Sequence, residues 1–284
     1  MAKTKKKTSS RPDFASIGGI LLAVGGILGG LILDGGKVQD VKQITAAMVV
    51  FGGTIGAVLL TTPLGVVLGA VKKLGAVFLD SAPPVAGTID DIIGYAAQAR
   101  KEGIVSLEQE ADAISDPFLR KALSLAVDGM ELSQIRAIME LEIDLMEQRG
   151  EAEAKAFEAA GGYSPTIGII GAVLGLMQVM KNLANIDEVG RGIAAAFVAT
   201  VYGVASANIF FLPAGGKLRA RLKNAVQLRE LMLEGVLSIV EGLNPKLIRI
   251  KLDAYIATPA KKNQKKNKAG ADAKPARQAV AAEG

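Results

Sequence analysis

The chain has 284 residues, half of them hydrophobic, a mean hydropathy of +0.34 and a formal net charge of +5. That is too apolar for an ordinary soluble domain and fits a polytopic membrane protein. It contains no Cys and no His, which excludes disulfides, Cys/His zinc sites and any catalytic triad built on imidazole.

The first 13 residues form a basic lead, with Lys3, Lys5, Lys6, Lys7 and Arg11. A run without Asp, Glu, Lys or Arg follows from Phe14 to Leu33, 20 residues. At about 1.5 Å of rise per residue that length crosses a hydrocarbon core of roughly 30 Å. It exceeds the apolar region of a signal peptide and no A-x-A site follows, so it reads as a retained anchor. A second charge-free run covers Gln43 to Val71, a third Ala159 to Met180 and a fourth Gly192 to Gly216. The expected fold is therefore all-α: two transmembrane helices within 14–71, a helical cytoplasmic domain over 72–158, two more spans within 159–216, further cytoplasmic helices over 217–256 and a disordered basic tail over 257–284.

Basic residues set the orientation. The 1–2 loop has only Lys37 and Lys42, and the 3–4 loop only Lys181 and Arg191, whereas thirteen Lys/Arg lie between Lys217 and Lys268. Both termini are thus expected in the cytoplasm. The 72–158 segment is acidic, with nine Lys/Arg against seventeen Asp/Glu, a net charge of −8. Thr88 to Asp91 ("TIDD") and Ser106 to Gln109 ("SLEQ") have capping-box spacing. Asp116 before Pro117 suits an N-cap followed by proline at the first helical position. Leu132, Ile135, Met139, Ile143 and Met146 keep helical spacing, and no breaker but Gly150 precedes Gly161, so a long helix is expected to run on into the third span. A similar stripe, Leu218, Leu222, Val226, Leu233 and Val236, marks a helix expected to pack antiparallel on the acidic block.

Within the spans the chemistry is sparse. Gly26/Gly30, Gly52/Gly56 and Gly171/Gly175 are G-x-x-x-G pairs, and Ala199, Gly203 and Ala207 continue the pattern; such residues serve packing within the chain or a homo-oligomeric ring. No nucleotide-binding loop occurs. The last two spans hold Ser164, Thr166, Thr200, Tyr202, Ser206 and Asn208 with Pro165 and Pro213. The plain reading has the hydroxyls bonding nearby carbonyls and each proline marking a helix end at the interface; the alternative is a polar lining on which ions or water move. Neither a catalytic residue nor a metal or cofactor site is expected. A proton relay in lipid normally uses Asp, Glu or His. If this chain moves protons, another chain must supply the carboxylate.

"YSPTIGIIGAVLGLM", "AAFVATVYGVASANIFFLPAGGKL", "LRELMLEGVLSIVEGLNPKLI" and "ARKEGIVSLEQEADAISDPFLRKALSLAVDG" together resemble the flagellar motor stator A-subunits, the MotA/PomA family, over roughly Ser16 to Tyr255. The resemblance implies an inner-membrane, ion-conducting stator rather than an enzyme. It would form a homo-oligomeric ring of five around two copies of a MotB-like single-span B-subunit that carries an essential Asp. It would push on a FliG-like rotor protein of the switch complex, with no nucleic-acid partner. Pro165 and Pro213 match the prolines that couple ion passage to movement, Thr200 matches an ion-facing hydroxyl, and Thr166 and Tyr202 join the expected path. Ala172 stands where sodium-driven members carry Thr. A hard cation wants oxygen ligands and alanine offers none, so protons are favoured over sodium. Arg100 and Glu108 match the two rotor-facing charges. The rival reading is an ExbB/TolQ-type transducer energising the outer membrane; four spans and a basic cytoplasmic N-terminus weigh against it.

Overall fold

The computed structural model describes residues 11–77, 79–80, 85–181 and 183–257; nearly all of the basic lead and the expected tail lie outside them. The described chain is helical apart from a two-residue antiparallel pairing of Arg11–Pro12 with Leu79–Asp80. It divides into two compact units, residues 1–83 with 140–228, and residues 84–139 with 229–284.

In the first unit, α1 (Phe14–Leu33) is capped by Asp13, whose Oδ1 accepts the Ala15 and Ser16 amides at 3.1 and 3.2 Å. Lys217 binds the same carboxylate and the Ser16 hydroxyl. A 3-10 turn (Val38–Val41) leads to α2 (Ile44–Ala47), which passes through a π-helical turn (Met48–Gly52) into α3 (Gly53–Thr61). The second charge-free run is not one helix. It breaks at Thr62–Pro63 and resumes as α4 (Leu64–Val77). A residue before proline is driven out of the helical region, and Thr62 lies at φ −132°, ψ 130°.

The long helix expected from residue 131 is present as α8 (Leu132–Lys181), 50 residues with Pro165 in its interior. α9 (Ile186–Ala205) begins six residues before the fourth charge-free run, where the Asn185 side chain caps the Asp187 amide at 3.2 Å. A π-helical segment (Ser206–Phe211) then joins α9 to α10 (Leu212–Val240) without interruption. The reading of the two prolines as helix ends is corrected: Pro165 lies inside α8, and Pro213 lies in the first turn of α10, downstream of the π segment. Four of these stretches, Phe14–Leu33, Val38–Thr61, Leu132–Lys181 and Ile186–Val240, are long and apolar enough to cross a membrane.

Close helix packing in this unit rests on glycine. A Cβ on Gly150 would strike Leu222 Cδ1 at 2.5 Å, and one on Gly161 would strike Leu212 Cδ2 at 2.5 Å. The isolated Gly150 is therefore a contact point in a continuous helix. Below it, Ala154, Ala156, Phe157, Ala214 and Leu218 form a buried cluster with Ala70, against which Phe210 and Phe211 of the π segment pack. Arg219 forks onto two carboxylates of α8, with Nε 3.2 Å from Glu151 and Nη1 2.5 Å from Glu158.

The second unit contains α5 (Val85–Glu102), a 3-10 turn (Ile104–Leu107), α6 (Glu108–Ala113), α7 (Pro117–Val127), the first turns of α8, the end of α10 and α11 (Pro245–Ala257). Asp116 caps α7 as expected, accepting the Phe118 and Leu119 amides at 2.9 and 3.0 Å with proline at the first turn. The two capping boxes do not form. Thr88 lies inside α5, and the Ser106 hydroxyl donates to Gly103 O at 2.7 Å instead of accepting a helix amide. The C-terminal helix is also broken, at Gly242 with φ 71°. α11 packs on α5, and Gly235 of α10 leaves room for Ile92. Ile135, Met139, Leu231, Val236, Leu237, Ile248 and Leu252 are among the buried residues.

Candidate functional site

α8 and α9 meet along a seam of small residues. Cβ atoms on Gly168 and Gly175 would lie 2.9 Å from Ala199 O and Ala196 N, respectively. One on Gly203 would lie 2.6 Å from Ser164 O and 3.2 Å from Pro165 Cα, and one on Gly192 would lie 2.6 Å from Val179 Cγ2. The positions 168, 171 and 175 on α8 thus face 192, 196, 199 and 203 on α9, each set at helical spacing. Lipid offers no hydrophobic drive for helix association, so backbone approach of this kind supplies the contact energy. The other two glycine pairs behave differently. Gly26, Gly30, Gly52 and Gly56 have nothing within 4 Å of a built Cβ, while Gly53, outside the pairs, meets Ile167.

Pro165 sits in this seam. It has no N–H, so the donor that would meet Gly161 O is missing, and α8 is locally weakened there. Ser164, fully buried, places its hydroxyl 2.7 Å from that of Ser206 on the facing helix. Thr200 is half-buried, and its hydroxyl donates to Ala196 O at 3.4 Å; its Cα is 3.5 Å from a Cβ built on Gly168. The structure therefore brings Pro165 and Thr200 onto one α8–α9 contact. Ala172, next to Gly171, is half-buried beside the same seam.

Three expected path residues lie elsewhere. Thr166 is exposed, and its hydroxyl donates to Tyr163 O at 2.8 Å. Pro213 is exposed in the first turn of α10, four residues before Lys217. The Tyr202 hydroxyl donates to Val41 O and accepts the Gln43 amide at 3.4 Å, and its ring lies 6.1 Å from Phe51. It fastens the start of α2 to α9, within the buried cluster of Ala46, Val50, Val198 and Ala199. Beside the seam a cleft of about 440 Å³ carries Gln43, Gln178, Glu188 and Arg191 on its walls.

The second unit carries the two other charges. Arg100 lies exposed in the last turn of α5, where a cation also complements the helix dipole. Glu108, exposed, opens α6. The turn between them reverses at Gly103, φ 84°, and the Gln98 side chain ties it down by donating to Ser106 O at 3.1 Å. Arg100 also borders a cleft of about 270 Å³ with Ala96, Ile104, Met130 and Leu243. Burial, then the Asp91 and Glu110 carboxylates, push the neighbouring Tyr95 phenol above its ordinary pKa.

Among the described residues, no group of three or more His, Cys, Asp or Glu is placed to hold a metal ion. The seam offers hydroxyls and backbone carbonyls and has no titratable side chain of its own. In the sequence Ser164 and Ser206 are two hydroxyls among several; what singles them out is that each stands beside a helix irregularity, Pro165 or the π segment.

Residues 110–231 match the model of the MotA/TolQ/ExbB proton channel family. Motility protein A of Bacillus subtilis (strain 168) is 38% identical over 253 residues, covering 88% of this chain and 92% of that protein. The solved structure of C. jejuni MotAB superposes with a TM-score of 0.82 at 32% identity, over 86% of this chain and 95% of that one. The flagellar MotAB stator complex of Bacillus subtilis gives 0.79 at 37% identity, over 88% and 98%. With likeness over 86–88% of the chain to proteins named for motility, the flagellar reading is preferred to the outer-membrane one. The chain is a multi-pass membrane protein and belongs to the motility protein A family, the ion-conducting flagellar stator subunits of the MotA/TolQ/ExbB proton channels.

Proposed function

We propose that this chain is the moving shell of a proton-driven stator: it lies in the inner membrane with both termini in the cytoplasm, forms a ring of five around a MotB-like B-subunit, and turns ion passage into torque on a FliG-like rotor. One observation carries the reading. The α8–α9 seam combines tight backbone contact with the proline break at Pro165 and the Thr200 hydroxyl, yet contains no acid of its own. A helix pair like this can shift in response to a charge change beside it but cannot itself bind and release a proton. The acid comes from the partner chain, as the likeness to MotAB complexes supports. Pro165 and Pro213 act as the points where the helices yield. Ala172 offers no oxygen to a sodium ion, which favours protons. Arg100 and Glu108, exposed on either side of a braced turn, set steering and register against the rotor more than raw affinity.

The coupling ion is tested by holding cells in sodium-free medium with the proton gradient intact and recording the rotation of tethered cells. Rotation should continue at its former speed. A motor that stops when sodium is withdrawn and restarts on its return overturns the proton assignment.

A further inference from the structure

We propose that the Ser164 and Ser206 hydroxyls form a positioning clasp that holds the two proline-bearing helices in one register during the ion-driven cycle. The inference rests on the reading of Pro165 and Pro213 as the points where the helices yield.

In lipid a serine or threonine usually satisfies its hydroxyl on a carbonyl one turn back in its own helix. Thr54, Thr61, Thr166 and Thr200 do this here, and the Asn208 amide does the same. Ser164 does not. It is fully buried, it immediately precedes Pro165, and its hydroxyl crosses to Ser206 at 2.7 Å. Ser206 is the first residue of the π segment Ser206–Phe211, which runs into Leu212 and Pro213. A π turn holds an extra residue within a helix and is often found at functional positions. The clasp therefore joins the residue beside one proline to the start of the irregular segment that precedes the other.

The bond has a direction. The Ser206 hydroxyl donates to Gly203 O at 3.2 Å. A hydroxyl carries one proton, so Ser164 is then the donor to Ser206, giving a chain Ser164→Ser206→Gly203 O. If Ser206 rotates toward Ser164, the cross-helix bond survives with its direction reversed and Gly203 O is released. The clasp thus tolerates rotation of a hydroxyl better than sliding of the helices, since an O–H···O bond weakens as its oxygens part beyond the usual range of about 2.5–3.0 Å. The glycines around it allow no slack, since a Cβ on Gly203 would already meet Ser164 O at 2.6 Å. A hydrogen bond between membrane helices biases a two-state equilibrium by roughly 3- to 20-fold.

The test compares Ser164→Ala, Ser206→Ala, the double variant, Ser206→Thr and Pro165→Ala in the full stator with its B-subunit. Ser164→Ala removes one oxygen without adding volume, and Ser206 keeps its bond to Gly203 O, so the chain should still fold and assemble. Stall torque per unit of proton flux through assembled complexes should fall about 2- to 5-fold in each alanine variant. The double variant should be no worse than either single one, as for a shared bond, and Ser206→Thr should restore the ratio. Unchanged torque per proton in both alanine variants, additive losses in the double variant, or no rescue by Ser206→Thr overturns the clasp. Pro165→Ala separates the two levels: full torque there overturns the proline reading and the clasp with it. Impaired torque in Pro165→Ala beside normal serine variants overturns the clasp alone.

Discussion

Gly203 shows how much of this molecule is decided by a missing methyl group. A Cβ at that position would lie 2.6 Å from Ser164 O and 3.0 Å from Gly168 Cα, both backbone atoms that cannot turn aside. Gly203→Ala must push α8 and α9 apart, and overpacking of this kind costs about 1–3 kcal/mol. The midpoint of thermal unfolding of the purified protein in detergent should fall by several degrees. Gly94→Ala is the contrast: the position is exposed within α5 with nothing within 4 Å, so the better helix former should leave the midpoint unchanged or raise it. Equal midpoints in the two variants would show that the seam is not tight. Gly203 and the Gly171/Gly175 pair could be read in the sequence as packing residues, because small side chains at helical spacing have that use in lipid. Which helix they meet could not, since Gly26/Gly30 carries the same pattern and faces open space. Tyr202 shows the same limit: a hydroxyl in an apolar run looks like path lining, but its bond to Val41 O is made over 161 residues of sequence, out of reach of any local pattern.

At the level of helices, legibility follows how local the physics is. Asp116–Pro117 was readable because a cap is made by neighbours: the carboxylate takes two amides within three residues. Losing such a cap costs about 1 kcal/mol. Asp116→Ala should therefore lower the unfolding midpoint of the purified protein measurably, while Asp116→Asn, which keeps the acceptor oxygen, should recover most of the loss. A full-size drop in Asp116→Asn as well would assign the effect to charge and not to the cap. The Thr88 and Ser106 boxes had the right spacing and failed because α5 starts at Val85, upstream of Thr88, and Ser106 is drawn into the 3-10 turn that packs Leu107. The break at Thr62–Pro63 follows from the proline rule, although the charge-free run continues through it. The two π segments have no local signature: each lies in an apolar helix whose register is set by what it packs against.

For the molecule as a whole, composition decided most. Four charge-free runs imply four apolar helices, and the helices are there; helix contacts, the glycine seam and the serine bond needed three dimensions. The strongest consequence at this scale also comes from composition. The four runs hold no Asp, Glu, Lys, Arg or His, and carrying a bare charge past them is expensive in hydrocarbon. Hydroxyls and carbonyls can pass a proton along but give it no resting place at neutral pH, so the chain alone should be proton-tight. Lipid vesicles holding only this protein, given an inside-negative potential and a pH-sensitive dye, should acidify no faster than protein-free vesicles. Vesicles holding the protein with a single-span partner bearing a membrane Asp should acidify well above that background, and replacing the Asp with Asn should abolish the gain. The order of the three rates matters more than their size. Background flux for the chain alone and acid-dependent flux for the pair would place the proton's stopping point on the partner. Substantial current from the chain alone would place the stopping point within this polypeptide and remove the ground for treating it as a shell around another chain's acid.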